Sequence, residues 1–292
     1  MSEPDRHRAR SDVRVASGLA PAVRATTDRV PEQTDPERGL ALEAFPRRVR
    51  GRYAGETLVD SDRTMLLHET GHTPVYYFPV DDVRTDLLVP TDRTTHCPRK
   101  GDARYWSIQV GERTVEHGAW AYPARLNDGL DLSGLIAFDW HALDAWFEED
   151  EQILVHPKDP YTRIDVRPSS RHVEVWANGV KLADSHRPRL LFETGLPTRY
   201  YLPKADVNLE ALVPTDSETA CPYKGVTSRY WSVPLDEATL EDAAWCYEHP
   251  SPEALSIAGL ICFYDEVVDV YVDGERTFPP SLSGELTGED AS

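Results

Sequence analysis

Two short segments carry the residue types best suited to chemistry: Cys97-Pro98-Arg99-Lys100-Gly101 followed by Tyr105-Trp106, and Cys221-Pro222-Tyr223-Lys224-Gly225 followed by Tyr230-Trp231. The chain has only five lysines, yet one stands at this position in both segments. A lysine beside a glycine-ended turn can present its ammonium to a phosphate or carboxylate, while tryptophan and tyrosine supply a flat apolar wall. That combination describes a pocket for an anion or a ring. The same residues also describe a packed turn, in which Pro and Gly shape the backbone, Cys fills a small core space and the aromatics belong to the core or its rim. Trp245 and Tyr247, matched by Trp120 and Tyr122, alternate along a strand and so share one face. With Trp231 they form either an aromatic cage for a ring or cation or the core of a sheet.

Cys221 is the candidate nucleophile, with Lys224 as the nearby cation that would activate its thiol. His96 precedes Cys97, but Ala220 takes that place in the second segment. Glu193, at the end of an apolar run, is the candidate general acid or base, since a carboxyl desolvated among aromatics holds its proton more tightly. The alternative is a structural ion pair with Arg199 or Arg229. Tyr201, and Tyr77 with Glu69 in the first copy, are placed to join the same pocket if the sheet folds them together. His68, His72, His96 and His117 have no full set of counterparts and read as surface histidines, so no metal centre is expected. Asp269 and Asp273, aligned with Asp144 and Glu148, read as solvated charges at hairpin edges. The chain lacks GxxxxGK[ST] and GxGxxG, and its four cysteines form no CxxC pair, so neither a cofactor nor a zinc knuckle is expected.

The elements that must position these residues occur twice, about 124 positions apart. The Asp60 to Gly71 segment recurs from Asp184 to Gly195, Tyr76 to Val83 from Tyr200 to Val207, and Leu88 to Asp92 from Leu212 to Asp216. Cys97 to Ser107 recurs from Cys221 to Ser232 with one added residue, and the spacing becomes 125. Alternating Val173 and Val175, then Asn178-Gly179, then Val180 and Leu182 predict a β-hairpin. Leu190 to Phe192, Arg199 to Leu202, Tyr230 to Val233, Ile257 to Phe263 and Val267 to Val272 predict further short strands. Helix is confined to a turn or two, as at Ser251 to Leu255, where Ser suits the cap and Pro the first helical position. The expected fold is mainly β: two tandem copies of a small β domain with tent-like or sandwich sheets. The expected boundaries are a tail over 1–45, a first repeat over 46–150, a linker over 151–170, a second repeat over 171–278 and a tail over 279–292.

The ETG, YYLP-DV, CPYKG-YW and AW-Y-P-GLI-F segments resemble the bacterial family called domain of unknown function 427, in tandem form, across residues 48 to 275. The resemblance implies compact β domains with a tent-like arrangement of sheets, distantly similar to methionine sulfoxide reductase B. It also carries a nucleotidyltransferase label. That chemistry needs a Gly-Ser loop for a triphosphate and clustered carboxylates for two metal ions, and the chain has no Gly-Ser loop. The second copy is closer to the family pattern, with Arg199 and Tyr223 where the first has Val75 and Arg99.

With 31 basic against 50 acidic residues, the 292-residue chain carries a formal charge of −19, which disfavours phosphate backbones and anionic lipid. Nucleic acid and membrane are therefore not expected as partners, and the charged start predicts a cytoplasmic protein. The expectation is that each repeat binds a small anionic or aromatic molecule. In the second repeat the pocket residues are Arg199, Tyr201, Lys224, Tyr230, Trp231, Trp245 and Tyr247. In the first they are Tyr77, Lys100, Tyr105, Trp106 and Trp120. The rivals are an enzyme, nucleotidyltransferase-like as the resemblance implies or using Cys221 and Glu193, and a protein-interaction scaffold. Oligomeric state is open, a monomer whose repeats form an internal pseudo-dimer being one option.

Overall fold

The computed structural model describes residues 33–125, 129–236 and 238–277. In chain order the strands are β1 (Gln33–Asp35), β2 (Leu40–Ala44), β3 (Val49–Tyr53), β4 (Glu56–Ser61), β5 (Met65–Glu69), β6 (Val75–Pro79), β7 (Leu88–Cys97), β8 (Gly101–Val110), β9 (Arg113–Ala121), β10 (Leu135–Phe138), β11 (Ala145–Glu148) and β12 (Glu151–Ile153). They continue with β13 (Ile164–Pro168), β14 (Val173–Ala177), β15 (Val180–Ser185), β16 (Arg189–Glu193), β17 (Arg199–Leu202), β18 (Val213–Thr215), β19 (Ala220–Cys221), β20 (Gly225–Val226), β21 (Arg229–Pro234), β22 (Thr239–Cys246), β23 (Ile261–Phe263), β24 (Asp269–Val272) and β25 (Glu275–Arg276).

Each repeat is a large antiparallel sheet packed on a small one. The first has the order β1-β2-β5-β6-β10-β9-β8-β7 over β12-β11-β3-β4, and the second has β13-β16-β17-β23-β22-β21-β18 over β15-β14-β24-β25. The large sheets are covered on both faces, which is why their strands read as unbroken apolar runs rather than a polar alternation. Leu66, Tyr76 and Phe78 enter the core between the two sheets. Met65, Leu67 and Tyr77 enter a second core with Leu135 on the outer face, under Leu130 and Leu132. In the second repeat Leu202 and Phe263 face the inter-sheet core, whereas Leu191, Tyr201 and Cys262 face the outer core under Ala254 and Ile257.

The predicted hairpin forms as β14 and β15, with Asn178 at φ 44° and Gly179 at φ 77°, the positive values that a two-residue turn of primed type requires. The residue added in the second copy breaks what is one strand, β8, into β20 and β21, separated by Thr227 and Ser228. The predicted helical turn is a 3-10 helix, Pro252–Ile257. Ser251 does not cap it, because its hydroxyl instead donates to the Tyr223 carbonyl.

Strands also form outside the stretches expected for the two repeats. β2 lies ahead of residue 46 and pairs with β5, just as β13, inside the stretch read as a linker, pairs with β16. β13 is an edge strand and β2 lies one strand in from the edge, and their charged or half-exposed residues, such as Glu43, Asp165 and Arg167, weaken the apolar signal. The strands of the first repeat thus run from Gln33 to Ile153 and those of the second from Ile164 to Arg276, joined by about ten residues. Residues 1–32 and 278–292 lie outside the described residues. Among the described residues no helix is long and apolar enough to cross a membrane.

Candidate ligand-binding site

The Cys-Pro-x-Lys-Gly turn links β19 to β20 and needs its glycine: Gly225 has φ +94°, and Gly101 in the first repeat has φ +97°. The start of the 3-10 helix ties the turn down, with the Ser251 amide donating to the Lys224 carbonyl at 3.0 Å. Lys224 reaches back across the outer face of the sheet to Glu193, and the two form an ion pair with side chains only 13 % and 7 % exposed. Lys100 and Glu69 repeat the contact at 2.5 Å in the first copy. Burial raises the Glu69 pKa, but the hydrogen bond and charge of Lys100 outweigh it and hold the carboxyl below its ordinary value.

Beside this pair the aromatic residues are bonded to one another. Trp245 Nε1 donates to Tyr201 Oη at 3.3 Å, and Tyr230 Oη meets Thr219 Oγ1 at 2.7 Å. The first copy repeats both contacts, Trp120 to Tyr77 at 3.2 Å and Tyr105 to Thr95 at 2.9 Å. Burial pushes the phenols of Tyr201 and Tyr247 above their ordinary values, so they remain protonated near neutral pH. Arg199 lies over the rings of Trp245 and Tyr264, 5.9 and 5.5 Å from their centroids. Its charge is taken by Glu266, at 2.7 and 2.8 Å, and by Asp265.

Structure and sequence disagree at four points. Trp231 packs in the inter-sheet core while Tyr230 packs in the outer core, and Trp106 and Tyr105 divide in the same way. Neighbours on a strand point to opposite faces, so neither Trp231 nor Trp106 joins Trp245 or Trp120. Glu193 pairs with Lys224 rather than with Arg199 or Arg229, and Arg229 lies over the Trp231 ring instead. The late carboxylates align differently: Val49 faces Glu148 and Val173 faces Val272, which returns the spacing to 272 − 148 = 124. Asp273 therefore matches Glu149, and each accepts a backbone N–H from the start of the repeat, from His172 and Arg48 respectively. Glu148 is instead buried between Arg47 and Tyr76 Oη, 2.5 Å away.

Two clefts open beside the turn, where the two repeats meet. A cleft of about 480 Å³ is walled by Cys221, Pro222 and His249 of the second repeat and by Gln152, Ile153 and Leu154 at the end of the first. A second cleft, of about 420 Å³, shares Lys158 with it. Its apolar wall is Phe45, Pro160, Ile164 and Tyr223, and its charged residues are Arg47, Lys158 and Arg163 against Asp159 and Glu253. Lys158 is tethered to Glu253 at 3.2 Å, Arg47 to Glu148 and Arg163 to Asp165 at 3.1 Å. Tyr223 fixes the floor, its Oη accepting the Asp159 amide at 2.8 Å. Tyr161 Oη donates to Glu43 of the first repeat at 2.7 Å, which anchors the connecting segment on its other side.

One family model, described as a domain of unknown function (DUF427), matches the chain twice, over residues 41–149 and 165–274. The chain belongs to the DUF427 family. No curated protein matches it. Lys158, Asp159, Pro160, Thr162 and Arg163 fall between the two DUF427 matches, so the cleft is built by the tandem arrangement and its connection. Reading 151–170 as a linker concealed these residues. The one available signal was Lys158, a lysine in a chain that has five.

Proposed function

We propose that this tandem DUF427 protein binds a small anionic molecule with an apolar or aromatic part in the cleft between its repeats. The observation that carries the reading is charge. In a chain with 19 more acidic than basic residues, this cleft gathers three cationic side chains around Phe45 and Tyr223, each of them held by one carboxylate. A guanidinium has five N–H donors and an ammonium three, so the ion pairs that orient Arg47 and Lys158 leave further donors for a ligand. In this reading Lys224 and Glu193 act on the ligand only indirectly. They hold the turn that carries Tyr223, while the aromatic outer face is the support beneath it.

The test is a thermal-shift screen of the full chain against inorganic phosphate, nucleotides and aromatic carboxylates, because a ligand bound only by the folded state raises the melting temperature. The reading predicts hits among anions carrying a ring, lost in Arg47→Ala and Lys158→Ala and retained in Lys181→Ala, which lies outside the cleft. No shift from any anion at millimolar concentration would overturn it.

A further inference from the structure

The two repeats differ sharply at one place on their small sheets. In the first, Arg48 Nε and Nη2 hold Asp60 through two hydrogen bonds of 2.6 and 2.5 Å, and Asp62 follows two residues on. In the second, 124 positions later, the same three places are His172, Asp184 and His186. A permanently charged guanidinium and a carboxylate have thus been replaced by two imidazoles, which offer lone pairs when neutral. His172 Nε2 lies 2.8 Å from Asp184 Oδ1, and the His172 and His186 rings stack at 4.1 Å between centroids and 13° between planes. One donor atom from each of the three residues lies within 4.8 Å of the others.

From this we propose that His172, Asp184 and His186 form a binding site for a borderline divalent transition-metal ion, of the zinc, nickel or copper class. The donor set is the one such ions favour, imidazole nitrogen with carboxylate oxygen. Tetrahedral bonds of 2.0–2.2 Å place ligand atoms about 3.4 Å apart, so closure needs only side-chain rotation of partly exposed groups. The backbone beneath is held in place. The His172 amide donates to Asp273 at 3.0 Å. On either side of His186, Ser185 and Arg187 both bond Asp206, at 2.8 Å for the Ser185 hydroxyl and the Arg187 Nη2 alike. Lys181 now shares Asp184 Oδ2 at 2.7 Å, but it also has Glu174 at 2.6 Å and can stay there when an ion arrives. Asp184 and Glu174 against Lys181 add one net negative charge beside the imidazoles, which attracts a dication.

The experiment is calorimetric titration of the untagged full-length chain with zinc chloride, beside the double variant His172→Arg with His186→Asp. That variant installs the residues the first repeat already accommodates at this place, so the fold should be preserved; an unchanged melting temperature without metal checks it. One zinc per chain is expected for the natural sequence, with affinity at least about tenfold weaker in the double variant and in His186→Ala. Equal zinc affinity in the double variant would put the ion on other histidines and overturn the proposal, as would the absence of saturable zinc binding by the natural sequence.

Discussion

At the scale of single residues, the lysine that stands out in the sequence is the one most fully occupied in the structure. Lys224 and Glu193 are nearly buried and paired, and removing one partner of such a pair leaves a desolvated charge without compensation. Lys224→Met is expected to destabilise the chain by about 3 kcal/mol, and Lys224→Met with Glu193→Leu is expected to recover most of that loss. Urea unfolding midpoints at unchanged slope measure both; a double variant no more stable than the single would contradict a buried pair. The Cys, Lys and Glu of the motif were legible because they recur at fixed spacing. Their partners were not, because a contact between residues 193 and 224 depends on how the strands between them are ordered.

At the scale of elements, alternation along the strand decides which aromatics share a face. Trp245 and Tyr247, two apart, share the outer core, while Trp231, next to Tyr230, belongs to the opposite core. Both faces of the large sheet are apolar, so the sequence carried no polar alternation to tell one from the other. The turns were plainer, since glycine marks them. Gly225→Ala must place a Cβ at φ +94°, 3.4 Å from the Ser251 amide, and is expected to cost about 1–2 kcal/mol. A matching loss is expected for Gly101→Ala at φ +97°, read from thermal midpoints. No loss at either position would show that the turn does not require its glycine.

At the scale of the whole molecule, the tandem organisation and mainly β fold were written in the repeat itself, while the clefts were not, because Phe45, Lys158 and Tyr223 come from three separate stretches of chain. The charge distribution makes acid the sensitive direction. In the folded chain Asp144 and Asp206 are held below the ordinary 3.8 by hydrogen bonds from Arg113 and Arg187 respectively, and Glu69 is held below 4.5 by Lys100 against the effect of burial. A depressed carboxyl pKa favours the folded state above the unfolded value, and that contribution disappears as pH falls through the folded value. Asp265, whose pKa burial raises, works in the opposite sense. Melting temperature is therefore expected to fall steadily below about pH 4.5; a flat profile down to pH 3 would mean these pairs contribute nothing.

The most direct test of where a ligand binds compares two lysines. For the strongest anionic hit, dissociation constants measured by calorimetry should rise at least about tenfold in Lys158→Ala and by clearly less in Lys224→Ala, whose ammonium faces Glu193 and reaches the cleft only through the turn that carries Tyr223. The reverse pattern, with binding lost in Lys224→Ala and kept in Lys158→Ala, would contradict the account and return the site to the Cys-Pro-x-Lys-Gly turn.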